Sequence, residues 1–92
     1  MSATKRYHEE VHAFQVLACK IFNHMESRQP GFWSLDLAED DELFAAHRVR
    51  LTAELNRLEY YGQGWKGAGP YAAAFDECRK TANNLFPFWF EA

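Results

Sequence analysis

A histidine pair near the amino terminus has the spacing of a metal site. His8 and His12 stand four residues apart in the stretch YHEEVHAF, and Glu9 directly follows the first histidine. Residues at this spacing share one face of a helix, so two imidazoles can bind one zinc ion while the glutamate polarises a water molecule. The pattern therefore indicates either metal-assisted hydrolysis or a metal site without catalysis.

The motif H-E-x-x-H resembles the signature of the zincin metalloproteases, over five residues only. Catalytic zinc needs a third protein ligand, and Cys19 lies seven residues past His12, which is about 10 Å along a helix axis. Gln15 stands where the extended motif has a glycine, and no segment reads as the sheet that supports this helix in zincins. We therefore expect no protease, and a non-catalytic metal site at His8 and His12 stays as an alternative.

A second motif follows the middle of the chain. Gly62, Gly64 and Gly67 spell G-x-G-x-x-G, the spacing of a dinucleotide-binding loop. That loop needs a strand before it and a helix directly after it, so that backbone amides meet a pyrophosphate. Here a long helical pattern comes first, so we interpret Gly62 as a helix cap and the remainder as a turn. We expect no cofactor.

Apolar periodicity places three helices around these motifs. It predicts a helix over residues 4–28, which Gln29-Pro30-Gly31 ends. A second long helix runs from about Asp36 to Tyr61, and a shorter third helix begins near Pro70, because proline suits a first turn. The prediction is all-α: a small three-helix arrangement, two long antiparallel helices plus a shorter third, with an aromatic C-terminal tail closing the core of a single helical domain over residues 1–92.

The second helix carries apolar residues on two sides. The stronger stripe comprises Leu43, Phe44, Leu51, Leu55 and Leu58. The thinner stripe comprises Ala45, Val49, Ala53 and Tyr60. This pattern indicates neighbours on two sides, either in the middle of a bundle or where two copies meet. His47 lies in the stronger stripe, which favours a hydrogen-bonded histidine in the core or in an interface.

Charge and hydropathy narrow the function classes. The net charge is −3 and the basic residues are scattered, which disfavours nucleic-acid binding. A helical nucleic-acid-associated regulator using Arg48, Arg50 and Arg57 stays as an alternative. No apolar run approaches the roughly 20 residues that span a bilayer, and the polar start MSATKRYHEE is unlike a signal peptide. We expect a cytoplasmic protein with buried, unpaired Cys19 and Cys78.

The remaining features favour a protein that binds other proteins. Aromatic residues make up 16% of the chain, more than so small a core needs, and no catalytic set accompanies them. We therefore predict no enzyme but a non-enzymatic protein-binding regulatory module of bacterial or phage type, an inhibitor, antiactivator or adaptor that covers a surface of a partner protein. It is also a possible homodimer and binds no membrane. The expected contact residues are Trp33, Val49, Tyr60, Trp65, Phe88 and Trp89.

Overall fold

The computed structural model describes residues 3–32, 42–64 and 68–87. Within these ranges the chain forms three α-helices and no strand, which confirms the predicted all-α fold. Helix α1 spans Ala3–Arg28, α2 spans Glu42–Tyr61 and α3 spans Gly69–Leu85. The predicted start of the second helix near Asp36 lies outside the described residues. In the part of the chain described, no helix has the length and apolar character to cross a membrane.

Helix α1 buries one side and ends in a turn that folds back over it. Its buried residues recur every three or four positions, at Val11, Phe14, Ala18, Ile21 and Met25. After the helix, the amide N–H of Gly31 donates to both carboxylate oxygens of Glu26, at 3.1 and 3.2 Å. The amide N–H of Phe32 then donates to the carbonyl of Gln29 at 3.0 Å. This turn directs Phe32, which is 2% exposed, into the core.

Contacts between the helices fix their directions. Glu10 near the start of α1 pairs with Arg57 near the end of α2, so these two helices are antiparallel. Phe22 near the end of α1 contacts Phe86 directly after α3, so α1 and α3 are parallel. Helix α1 packs mainly on α3 and only lightly on α2, while α3 packs on both. The third helix therefore holds the two long helices together.

Small side chains let α3 approach its neighbours closely. Ala74, Cys78 and Ala82 recur every four residues along α3, and each is completely buried. Burial, with Glu10 and Glu77 nearby, raises the pKa of the Cys78 thiol to about 12, so the thiol stays protonated. The prediction that both cysteines are buried is wrong for Cys19, which is exposed because Ala18 takes the inward position beside it.

Three phenylalanines close one end of the bundle. Phe22, Phe32 and Phe86 pack with ring centroids 5.2 to 6.0 Å apart. Phe86 is 1% exposed, which confirms at its first residue that the aromatic tail contributes to the core. Phe88 and Trp89 lie outside the described residues. The cluster therefore holds together the end of α1, the turn that follows α1 and the end of α3.

Gly62 is required for close approach to α3 rather than for a left-handed helix cap. Its amide N–H continues the helical pattern to the carbonyl of Leu58 at 2.9 Å, and the positive φ of 67° belongs to Gly64. A Cβ on Gly62 would lie 3.0 Å from the backbone N and Cα of Ala72. The positive φ therefore falls two residues after Gly62, and the small size of Gly62 lets α3 pass beside the end of α2.

Substituting Gly62 by alanine is expected to lower the free energy of unfolding by about 1–2 kcal/mol, since the added methyl must push backbone away. Gly69→Ala is the matched control, because a Cβ at Gly69 meets no atom within 4 Å. Urea unfolding of both variants measures the difference. Equal stability of the two variants would contradict the close approach at Gly62.

Candidate functional site

The predicted metal pair lies on an open side of α1. His8 and His12 are both exposed, and the His8 ring packs edge-on against Tyr7 with centroids 5.1 Å apart. Among the described residues, no group of three or more His, Cys, Asp or Glu side chains is placed to hold a metal ion. A metal site at His8 and His12 therefore stays a prediction, which the zinc content of untagged protein would test.

The predicted contact residues divide into two groups. Val49 and Tyr60 are 66% and 71% exposed on the side of α2 that faces away from the core. This exposure excludes the alternative in which the described helices sandwich α2 on both sides. The other four expected contact residues lie outside the described residues: Trp33, Trp65, Phe88 and Trp89.

The light contact between α1 and α2 leaves a groove, which we term the α1–α2 groove. Its main part has a volume of about 440 Å³. The described residues that line it all come from α1 and α2: Ala13, Val16, Leu17, Lys20, Ile21, His24, His47 and Arg50. A smaller section of about 230 Å³ continues it toward Glu10 and Arg57. From Glu10 to His24 the groove follows 14 residues of helix, which is about 21 Å.

Polar contacts mark both ends of the groove. At one end the Arg57 guanidinium donates to Glu10 at 2.7 Å and to Glu54 at 3.3 Å. The hydrogen bond to Glu10 is the main reason that the pKa of Arg57 is raised. At the other end the rings of His24 and His47 meet edge-on with centroids 5.5 Å apart. Between the ends the groove is apolar, and Val16 is 40% exposed within it.

Positive charge borders the apolar part of the groove. Lys20 from α1 and Arg50 from α2 line it, and neither has an ion-pair partner among the residues that the structure describes. The carboxylates at the far end are already paired with Arg57. Among the described residues that line the groove, the charged side chains without an ion-pair partner are therefore cationic, although the whole chain carries a net charge of −3.

One ring nitrogen of His47 lacks the hydrogen bond that its place in the apolar stripe predicts. Its Nε2 atom is buried and has no hydrogen-bond partner within the described parts of the chain. Burial lowers the pKa of His47, and the charges of His24 and Arg50 lower it further. Burial and these two neighbouring groups therefore all disfavour the charged form of the imidazole.

Acidification is expected to destabilise the protein through His47. In the unfolded chain His47 titrates near its ordinary value of 6.5, so the unfolded state binds the proton more readily. The contribution to stability is thus fully present above pH 6.5 and is lost as the pH falls through the lower pKa of the folded state. Urea unfolding of wild type and His47→Gln across this range measures it. If the free energies of unfolding of wild type and His47→Gln changed in parallel with pH, this prediction would be contradicted. His12→Gln, at an exposed site, is the control.

Sequence reasoning identified the groove only in part. The sequence offers Arg50 only as a contact to nucleic acid, and it predicts that His47 lies in the core or in an interface. Val16, Lys20 and His24 were missed, since they lie beside the main apolar stripe of α1, and no spacing rule relates them to residues of α2. The arginines of the nucleic-acid alternative differ in their surroundings, because Arg57 is bound by two carboxylates while Arg50 lines the groove. That alternative stays a prediction.

The groove and the exposed face of α2 are thus the two surfaces from which a function can be inferred. No protein-family model, curated protein or solved structure matches this chain.

Proposed function

We propose that this protein is a non-enzymatic protein-binding module that holds an acidic, amphipathic helical segment of a partner protein in the α1–α2 groove. One observation carries the proposal: an open apolar groove is bordered by two cations, Lys20 and Arg50, that have no ion-pair partner among the described residues. By covering such a segment the module would act as an inhibitor, antiactivator or adaptor in the cytoplasm.

The length of the groove suits a helical segment. A length of about 21 Å corresponds to roughly four helical turns. Apolar side chains of the partner at positions i, i+3 or i+4, and i+7 would contact Val16, Leu17 and Ile21, as in other helix-in-groove complexes. Glutamates on the flanks of the same helix would then reach Lys20 and Arg50. Apolar contact would supply affinity, and the charges would select an acidic segment over a basic one.

The test uses two synthetic peptides of four helical turns with the same leucine positions, one with glutamate flanks and one with lysine flanks. Fluorescence anisotropy is expected to show micromolar binding of the acidic peptide, with the basic peptide at least about tenfold weaker. Lys20→Glu and Arg50→Glu should each reverse this preference or reduce it by about tenfold. Lys80→Glu is the matched control, since it makes the same change of charge on an exposed position of α3.

Chemical-shift mapping locates the bound peptide. Shifts centred on Val16 and Lys20 support the proposal. Equal binding of the two peptides, no binding of either, or shifts confined to other helices would overturn it.

A further inference from the structure

A second surface lies on the outer side of α2, and its residues repeat with helical regularity. Successive residues of a helix are rotated by about 100° around its axis. The outer face of α2 therefore holds three residues within about 40° of one another: Val49, Asn56 and Tyr60. Leu58, in the core, points about 180° away from Val49. All three are exposed. Ala53 and Thr52 lie between them and are small. The face therefore offers projecting side chains at its two ends and little bulk in its middle.

This outer face combines a depression with a projection. A shallow depression of about 380 Å³ is lined by Arg48, Val49, Thr52, Ala53 and Asn56. Tyr60 projects just beyond it and is 71% exposed. Tyrosine supplies a large rigid surface at low entropic cost, and such residues dominate binding energies. A surface that carries both a hole and a side chain able to fill it can pair with itself.

One flank of this outer face carries two charged residues of opposite sign, so the flank can also pair with its own copy. Arg48 and Glu59 are 11 residues apart, so they lie on one edge of the face, separated by about 16 Å along the axis. Neither has an ion-pair partner among the described residues. On the opposite flank Arg57 is bound by Glu10, and Arg50 faces the α1–α2 groove, so both cations are directed toward α1.

We propose that the outer face of α2 binds a second copy of this chain, as a symmetric antiparallel helix pair centred between Ala53 and Glu54. In this register Arg48 of each copy faces Glu59 of the other, because both residues are equally far from the centre. Tyr60 of each copy lies over the depression beside Val49 of the other. Each favourable contact therefore occurs twice, as an isologous interface requires. The inference does not depend on the proposed function, since it uses a different surface.

Charge exchange tests the register directly. Wild-type protein is expected to pass from monomer to dimer between micromolar and millimolar concentration in sedimentation equilibrium. Arg48→Glu and Glu59→Arg should each weaken the dimer at least about tenfold, because like charges then meet twice. The double variant Arg48→Glu/Glu59→Arg should restore it. An equimolar mixture of the two single variants should form a heterodimer, in which every facing pair is again opposite in charge.

Lys20→Glu is the control, since it alters the groove but should leave self-association unchanged. Tyr60→Ala should weaken the dimer without changing the far-ultraviolet circular dichroism of the monomer. A wild-type protein that stays monomeric at millimolar concentration would overturn the proposal. So would single variants that dimerise as well as wild type, or a double variant that fails to recover. Loss of peptide binding in the groove, by contrast, would leave the dimer intact.

Discussion

Replacing Phe86 by alanine is expected to lower the free energy of unfolding by about 3–5 kcal/mol. Phe86 is 1% exposed and its ring lies 6.0 Å from both Phe22 and Phe32. The variant loses the apolar transfer energy, leaves a cavity and breaks two aromatic contacts, each worth roughly 0.5–1.5 kcal/mol. Urea unfolding followed by circular dichroism measures the loss.

Two further variants keep this prediction testable, because a chain of this size has a small margin of stability and the alanine variant can be largely unfolded. Phe86→Leu retains most of the buried volume and should lose only about 1–1.5 kcal/mol. Phe75→Ala removes a half-buried ring from α3 and should lose roughly half as much as Phe86→Ala. If the two alanine variants proved equally stable, the aromatic cluster would not be the element that closes the bundle.

Ala82→Leu is expected to cost about 3 kcal/mol or more through overpacking. Ala82 is completely buried at the close approach of α3, where Ala74 and Cys78 are equally inaccessible. Three added carbon atoms can be accommodated only if α3 moves away from its neighbours, and that movement would loosen both of its interfaces. Thermal unfolding and the midpoint in urea should both decrease.

Ala73→Leu supplies the matched control for Ala82→Leu. It makes the same substitution in the same helix at an exposed position, where leucine has nearly the helix propensity of alanine. Its stability should stay within about 0.5 kcal/mol of wild type. Similar losses in the two variants would mean that helix propensity, rather than the small-residue interface, decides the outcome.

Local rules account for much of the fold. Apolar residues at helical spacing predicted α1, and proline with glycine predicted its end. The inward stripe of α2 is confirmed at Leu51, Leu55 and Leu58. These features depend on residues close in sequence, so periodicity and turn chemistry suffice to find them.

Features that depend on contacts between residues of different helices could not be predicted in the same way. His24 and His47 are 23 residues apart, and only the antiparallel direction of α1 and α2 brings their rings together. Gly62 resembles a helix cap in sequence, yet its small size is needed because Ala72 of α3 passes beside it. Cys19 has an apolar context like that of Cys78, but the rotation of α1 turns it outward.

The central position of α3 has a consequence for synthesis on the ribosome. Residues of α1 and α2 emerge first, and these helices have few contacts with each other. Until Ala82 and Phe86 leave the exit tunnel, the inward faces of the first two helices lack their main cover. The nascent protein therefore completes this fold only after α3 has emerged, and before that point the inward apolar side chains of α1 and α2 are available to chaperones.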